Sequence, residues 1–294
     1  MSFLDSISQF VKDPPPGYVF EFSEAGIAYA RPSASGEREI GFAALDPGTL
    51  VPSPVADNLL RTEAVSSTLA RIAPAVVATK RRRAAVILPD WAARVSVLDF
   101  DSFPSSPAEQ ISLIKFRLKK TLPFDVESAA VSYFVQPKPV AANTDGGKID
   151  VVTVTVALEV LARYEALFRA QNFHAGDITT SGLASLELVR DTEAVIVAKL
   201  TGRALTVMVV AGGILKLYRC VELDEVNEEE ILQVLRPTVA YVEDELGAAT
   251  RRIVATGFSL NGELPMKKES LRSRLGPPNP HNAGLLGYLE GAES

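Results

Sequence analysis

The sequence predicts a two-lobed α/β protein, and three observations support this prediction. A strand–turn–strand pattern followed by further strands and helices occurs twice, from Tyr18 and from Ala194, which indicates a duplicated architecture. The chain has 294 residues, enough for two modest domains. Its composition, 47% hydrophobic and 22% charged, is that of a globular protein with a sizeable core.

The composition also argues against several functional classes. A net charge of −6 is unlike that of a general nucleic-acid binder, which presents a basic face. Cys220 is the only cysteine, so no internal disulfide can form, and this fits a reducing cytosol. The longest apolar stretches, Val151–Leu161 and Leu205–Leu217, are interrupted and shorter than the ~20 residues of a membrane span. The start of the chain lacks the pattern of a secretory signal. We therefore expect a cytoplasmic protein whose membrane association is peripheral or through a partner.

Residues 1–16 are predicted to form an N-terminal amphipathic segment followed by a proline-rich linker. Apolar side chains recur at helical spacing in this segment, and Pro14-Pro15-Pro16 ends the helix. The segment can cap the body of the protein, dock on a partner or lie on a membrane surface. Its polar face carries one lysine and two aspartates, which disfavours the membrane alternative because such helices are usually basic.

The first half of the chain contains a hairpin and a capped helix. YVFEF and IAYAR flank the turn residues SEAG within 18–31. Ser106 as N-cap and Pro107 in the first turn predict the start of a helix, and NTDGGK at 143–148 predicts a hairpin turn. The predicted strands are Glu39–Leu45, Arg83–Pro89, Val95–Phe100, Ala129–Gln136 and Val151–Leu158, and the predicted helices are Asn58–Ile72 and Ser105–Lys120.

The second half repeats the strand–turn–strand motif. Ile196–Leu223 reads as two strands joined by a turn at Gly212-Gly213. Pro237 lies inside a predicted helix and is expected to kink or divide it. The helices predicted in this half are Glu159–Ala170, Thr179–Val189, Glu228–Leu246, Leu264–Leu275 and Ala283–Leu289, and a strand is predicted at Arg252–Thr256.

Four stretches, by their order and spacing, resemble one known family. They are the hairpin at 18–31, ILPDWAARVSVLDF (87–100) with LKKTLPFDVESAAVSYFVQ (118–136), the segment VALEVLARYEALFRAQNFHAGDITTSGLASLELV (156–189), and RIVATGFSLNGELPMKKESLRSRLG with NPHNAGLLGYLEGA (252–276 and 279–292). Together they resemble the PilM family, the actin-like cytoplasmic proteins of type IV pilus assembly. The chain is also similar, more distantly, to FtsA and to the cytoplasmic domain of the type II secretion L protein.

The resemblance implies an α/β fold of the actin-like ATPase (ribonuclease H-like) type, with two lobes and a small inserted α+β subdomain. After the N-terminal segment, the first lobe is predicted at residues 17–88 and 159–192. The inserted subdomain is predicted at residues 89–158 and the second lobe at residues 193–294.

The resemblance also places a nucleotide cleft between the lobes, at residues that depart from the family's pattern. The cleft residues implied here are Glu21, Lys199, Thr201, Gly202 and Gly257. Lys199 stands where an acid or an asparagine is expected. A lysine can pair with a phosphate as a point charge, but a magnesium ion needs oxygen ligands.

Two further substitutions weaken the expected cleft. Phe22-Ser23 replace a tight glycine step, and glycines are what allow backbone N–H groups to approach phosphate oxygens. Phe258, in the closing turn, would crowd a purine if its ring pointed into the cleft. We therefore expect a vestigial cleft with no catalytic or metal-binding residues and no ATP hydrolysis, although binding of ATP with magnesium stays open.

The function implied by the resemblance is that of a cytoplasmic adaptor at the inner face of the cytoplasmic membrane. It would bind the cytosolic tail of a PilN-type membrane protein and couple it to the pilus motor ATPase. Extended tails bind in grooves through main-chain hydrogen bonds and side-chain pockets. By position, the predicted contacts are Lys115, Phe116, Leu122, Pro123 and Phe124. An active actin-like ATPase and a scaffold like the type II secretion L protein remain alternatives, and homo-oligomerisation stays open.

Other chemically distinctive residues have simple structural interpretations. His174 and His281 are the only histidines, and with one cysteine they cannot build a conventional zinc site. The basic run 80–83 is either a solvated loop or a contact to acidic lipid headgroups or an acidic partner. Trp91 is either a core residue or an exposed interface anchor.

Overall fold

The computed structural model describes residues 15–33, 35–75, 80–137, 148–189, 193–246, 252–260, 264 and 266–293. The amphipathic segment predicted over residues 1–16 and the turn predicted over 143–148 lie almost entirely outside these residues. No helix within the described ranges is long and apolar enough to cross a membrane.

The first sheet has five strands in the order β3-β2-β1-β4-β8, with β1, β2 and β3 antiparallel and β1, β4 and β8 parallel. Its strands are β1 (Tyr18–Ser23), β2 (Gly26–Pro32), β3 (Arg38–Ala44), β4 (Arg82–Leu88) and β8 (Phe173–Thr180). Helices α1 (Thr62–Ile72) and α3 (Leu158–Ala170) cover one face, where Phe20, Phe22 and Phe168 form the centre of an aromatic core.

The second sheet repeats this topology in the order β11-β10-β9-β12-β13. Its strands are β9 (Val195–Thr201), β10 (Ala204–Ala211), β11 (Ile214–Glu222), β12 (Arg252–Thr256) and β13 (Lys267–Ser270). As in the first sheet, three antiparallel strands are followed by two that run parallel to the first. Helix α5 (Glu228–Leu246) packs on one face through Ile231, Leu235 and Val242. The duplication predicted from the sequence is therefore visible in the strand order.

A three-stranded antiparallel sheet lies between the halves of the first sheet in sequence. It contains β5 (Arg94–Phe100), β6 (Ala129–Val135) and β7 (Ile149–Ala157) in the order β5-β7-β6, with helix α2 (Pro107–Leu118) on one face. The Gln136 amide makes two hydrogen bonds, of 2.7 and 2.8 Å, with the backbone of Leu215. Lys216 and Asp150 form an ion pair of 2.5 Å. The small sheet is thus fastened to β11 of the second sheet.

The last helix connects the two large sheets. Helix α6 (Ala283–Ala292) packs against α4 (Ser181–Ser185) on the second face of the first sheet, while its residues Ala283 and Leu286 belong to the core of the second. A Cβ atom at Gly287 would lie 2.0 Å from the carbonyl oxygen of Ala184. Only glycine permits this approach of the two helices.

Several elements differ from the prediction. The segment Ile196–Leu223, predicted as two strands, forms the three strands β9, β10 and β11, because the chain also turns at Gly202, where φ is +56°. The helix predicted at Leu264–Leu275 is wrong, because residues 267–270 form β13, which pairs with β12 and is fixed by the Arg252–Glu269 ion pair of 2.7 Å. The helix predicted at Thr179–Val189 is shortened to residues 181–185 and a 3₁₀ turn at 186–188, because residues 179 and 180 continue β8. Pro237 does not divide α5, which runs as one helix of 19 residues.

Helix α1 also begins later than the sequence predicts. Asn58, predicted as its first residue, instead holds a loop in place. Its side-chain amide donates to the carbonyl oxygens of Ser53 and Ala56, and its own oxygen accepts a hydrogen bond from Tyr164. A side chain that bonds to nearby backbone in this way competes with helix formation.

Candidate functional site

The turns of the two hairpins touch each other between the lobes. Gly202, in the β9–β10 turn, has φ = +56°, and a Cβ atom there would lie 1.6 Å from a carboxylate oxygen of Glu24 in the β1–β2 turn. Burial raises the pKa of Glu24, and the neighbouring Arg203 opposes that shift. The Glu24 side chain therefore occupies the space next to Gly202.

A buried ion pair lies directly behind these turns. The Lys199 ammonium, on β9 of the second sheet, is 3.1 Å from a carboxylate oxygen of Asp90, which follows β4 of the first sheet. Both side chains are 2% exposed. Lys199 also donates to the hydroxyl of Thr201 at 2.8 Å, and that hydroxyl donates to the carbonyl oxygen of Pro280 at 3.1 Å. The pair therefore joins the lobes through charge.

Asp90 is surrounded by three further donors. The backbone N–H of Gly182 donates to it at 2.5 Å, and the hydroxyls of Tyr218 and Thr206 each donate at 3.1 Å. Burial, with Asp90 as a second cause, raises the pKa of Tyr218 well above its ordinary value, so the phenol keeps its proton and donates. A buried carboxylate is tolerated when it is paired and its oxygens are hydrogen-bonded, and Asp90 meets both conditions.

Glu21 forms a second buried acidic position beside the pair. Its carboxyl group is hydrogen-bonded to the Ser181 hydroxyl and accepts the backbone N–H of Leu285 at 2.7 Å. Burial raises the pKa of Glu21, while Lys199 and these hydrogen bonds act in the opposite direction. Glu21 therefore links β1 to the start of both α4 and α6.

Little space remains among these side chains. The cavity between these side chains has a volume of about 20 Å³ and is lined by Glu21, Asp90, Trp91, Lys199 and Pro280, among others. That is room for about one water, whereas pockets for nucleotide-sized ligands enclose ~300–1,000 Å³. Asp90 already pairs with Lys199, and Glu21 is held by the Ser181 hydroxyl and the backbone N–H of Leu285, so both carboxylates at the cavity have partners. The residues present in this arrangement do not fit a magnesium–nucleotide complex.

The part of the chain that the structure describes contains no cluster of three or more His, Cys, Asp or Glu side chains able to hold a metal ion. His281 is half-buried next to Phe42, with the ring centroids 6.0 Å apart, and burial lowers its pKa. Cys220 accepts a hydrogen bond from Thr206, and burial raises the pKa of its thiol to about 12. A thiol that keeps its proton is a poor metal ligand, because metals bind the thiolate, so Cys220 is unsuited to that role.

The structure brings together three of the five predicted cleft residues, since Glu21, Lys199 and Thr201 line the same cavity. Gly202 forms the contact between the turns. Gly257 packs instead against β9, where a Cβ atom would lie 2.1 Å from the carbonyl oxygen of Leu200.

Sequence reasoning missed four residues of this site: Glu24, Asp90, Ser181 and Tyr218. Two features of the sequence could have pointed to the pair. A lysine inside an apolar strand requires a counter-ion, and Asp90 lies two residues after the buried strand 82–88. Phe258 does not line the cavity, because its ring packs with the hydrophobic cluster beneath α5.

The predicted partner-binding residues lie on α2 and the segment after it. Phe116 is 75% exposed, and Lys115 forms an ion pair of 2.7 Å with Glu127. Leu122 packs into the core of the small sheet, Pro123 is exposed, and Phe124 is half-buried.

Further exposed apolar side chains lie in the loop before α1 and at the first residue of α3. Val51, Val55 and Leu60 are 43, 57 and 59% exposed, and Leu158, where the chain leaves β7, is 49% exposed. The loop that carries the first three is anchored to α3 by the Asp57–Arg163 ion pair of 3.0 Å. It is therefore a fixed apolar surface.

Comparisons with known proteins agree on the fold. No family model and no curated protein matches the sequence. The structure is similar to that of a PilM–PilN type IV pilus biogenesis complex, with 12% identity over 96% of this chain and 100% of that chain and a TM-score of 0.65. It is also similar to the cytoplasmic domain of EpsL, an inner membrane component of the type II secretion system of Vibrio cholerae, with 15% identity over 94% of each chain and a TM-score of 0.55.

These similarities confirm the predicted actin-like ATPase fold. The predicted resemblance to PilM is confirmed at the level of the fold.

The Asp90–Lys199 pair predicts a strong energetic coupling. Asp90→Asn should destabilise the protein by about 3–5 kcal/mol, because it leaves the Lys199 ammonium buried without a counter-ion. Asp90→Asn combined with Lys199→Met should cost clearly less than the sum of the single changes. Urea unfolding of the four proteins measures this coupling, and additive losses would contradict it.

Glu21 predicts a pH dependence of stability. Because its folded pKa is raised above the ordinary value of 4.5, its contribution is fully present below that pH and is lost as the pH rises through the folded pKa. Glu21→Gln keeps an acceptor for Leu285 N–H and does not ionise. The variant should therefore gain stability relative to the unmodified protein as the pH rises above 4.5. Unfolding free energies measured across this range test it, and a constant difference would refute it.

Proposed function

We propose that the protein is an adaptor of a type IV pilus or related secretion machine, at the inner face of the cytoplasmic membrane. In this proposal it binds the cytosolic tail of a PilN-type membrane protein and couples that protein to the motor ATPase. The fold likeness to PilM from a PilM–PilN complex supports the choice of partner class. The likeness to the EpsL cytoplasmic domain supports a second candidate, a scaffold of a type II secretion system.

One observation carries the adaptor proposal, namely the buried Asp90–Lys199 pair at 3.1 Å. An actin-like ATPase needs a cleft that admits a nucleotide and its metal, since phosphoryl transfer depends on positioning and metal electrostatics. Here the Lys199 ammonium supplies the positive charge that a metal ion would otherwise bring to Asp90, and the turns that carry Gly202 and Glu24 touch. We infer that ATP is neither bound nor hydrolysed and that the function resides on the outer surface.

In this proposal the tail contacts exposed apolar side chains outside the cleft. Val55 and Leu60 lie on the first lobe, Leu158 at the junction, and Phe116 on the inserted subdomain. An extended peptide crossing this junction would place alternate side chains against them. The loop needs little ordering on binding, because Asn58 and the Asp57–Arg163 pair already hold it.

Leu60→Asp tests the docking surface. The probe is a fluorescent peptide with the cytosolic tail sequence of a PilN-type membrane protein. The substitution should weaken binding at least tenfold, about 1.4 kcal/mol, because a charge replaces an apolar contact at the junction. Fluorescence anisotropy measures the affinity, and Phe116→Asp should have an effect of similar size.

Val226→Asp is the matched control. Val226 is 55% exposed, close to the 59% of Leu60, but it lies in the segment between β11 and α5. Its substitution should leave the affinity unchanged. Equal weakening by both changes, or an unmodified protein that does not bind the peptide, would refute the proposed function.

A further inference from the structure

Strand β3 is the outer strand of the first sheet, and no strand of the described residues pairs with its free edge. It pairs with β2 in an unbroken register from Gly26 opposite Ala44 to Pro32 opposite Arg38, with no bulge. The unpaired N–H and C=O groups of such an edge are a template for another strand. Proteins usually protect edges with bulges, prolines or free charges, and β3 contains neither of the first two.

The charges of β3 are neutralised within the protein. Arg38 forms an ion pair with Glu293 of the last turn region, and Glu39 accepts from Arg31 at 2.9 Å. Neither side chain is left to repel an approaching strand. The two charged residues of β3 are therefore paired within the protein, and they do not protect this edge as unpaired charges would.

The side chains of β3 make the edge flat and apolar. Ile40 and Phe42 are 36 and 48% exposed and point to one face. On the other face, Tyr29 covers Gly41 so closely that a Cβ atom there would lie 2.4 Å from its hydroxyl oxygen. A larger side chain at position 41 would displace the Tyr29 ring, whereas glycine lets the ring pack against the middle of β3.

We propose that β3 pairs with β3 of a second copy of this chain, antiparallel about a two-fold axis at Gly41. Ile40 of each copy then lies opposite Phe42 of the other, and cross-strand pairs of β-branched and aromatic residues stabilise sheets. Arg38 lies opposite Ala44, and Glu39 opposite Ala43, so no like charges face each other. The two five-stranded sheets become one continuous sheet.

Two features favour a second copy over an unrelated strand. A two-fold interface must be self-complementary, and the sequence REIGFAA meets this condition about its central glycine. Arg38, which keeps its ion pair with Glu293 of its own copy, also lies diagonally across from the exposed Asp46 of the second copy, so it can attract a second carboxylate. The contact area of one strand is small, so the association is expected to be weak and concentration-dependent.

This surface is separate from the proposed tail-binding junction. β3 lies at one edge of the first sheet, and none of Leu60, Leu158 and Phe116 belongs to it. Self-association and tail binding can therefore be measured independently, and failure of one leaves the other untouched.

Sedimentation velocity of the full chain over a concentration series, with a reducing agent, tests the proposal. The unmodified protein should shift reversibly from monomer to dimer. Ile40→Lys should weaken the dimer at least tenfold, because it removes the apolar pair and brings two ammonium groups close together across the axis. Phe116→Lys, which removes an exposed aromatic side chain elsewhere, should leave the dimer unchanged.

Hydrogen–deuterium exchange of the unmodified protein locates the contact without any variant. Amides in residues 38–44 should become protected as the concentration rises. A monomer at every concentration would overturn the proposal, and so would a dimer that is insensitive to Ile40→Lys or gives no protection in β3. Protection that appears only when a tail peptide is added would also overturn it, in favour of strand addition by the partner.

Discussion

The ion pair between Asp90 and Lys199 is the constraint on which the arrangement of the two lobes depends. Each partner comes from a different sheet, and neither is exposed enough to be screened by solvent. A buried pair of this kind adds little net stability compared with apolar residues, but loss of one partner is costly. We infer that its main effect is specificity, because any relative position of the lobes that separates Lys199 from Asp90 leaves two buried charges unpaired.

Two close contacts depend on the same relative position. Gly202 admits the Glu24 carboxylate, and Gly287 admits the carbonyl of Ala184. The inserted subdomain is fastened to β11 of the second lobe by Gln136, while its chain ends enter the first lobe. The proposed tail-binding junction therefore lies on a surface whose shape is set by the lobe contacts.

Local patterns predicted most of the strands and helices because each pattern reflects burial of a periodic face. The duplication was predicted from the two similar strand–turn–strand segments, whereas the order of the strands in each sheet was not. β13 could not be predicted, since residues 267–270 become a strand only through pairing with β12. The counter-ion of Lys199 is 109 residues away in the chain, so its identity was not evident from local sequence. Likewise, a glycine such as Gly202 is common in hairpin turns for local reasons. Its contact with Glu24 arises only when both lobes are folded.

The most direct test of the closed cleft is isothermal titration calorimetry of the unmodified protein with ATP and magnesium, together with a phosphate-release assay. The ion pair and the touching turns predict no saturable heat and no turnover above buffer. Saturable binding with magnesium-dependent phosphate release would contradict this, because it would require Lys199 to leave Asp90 and the two hairpins to separate.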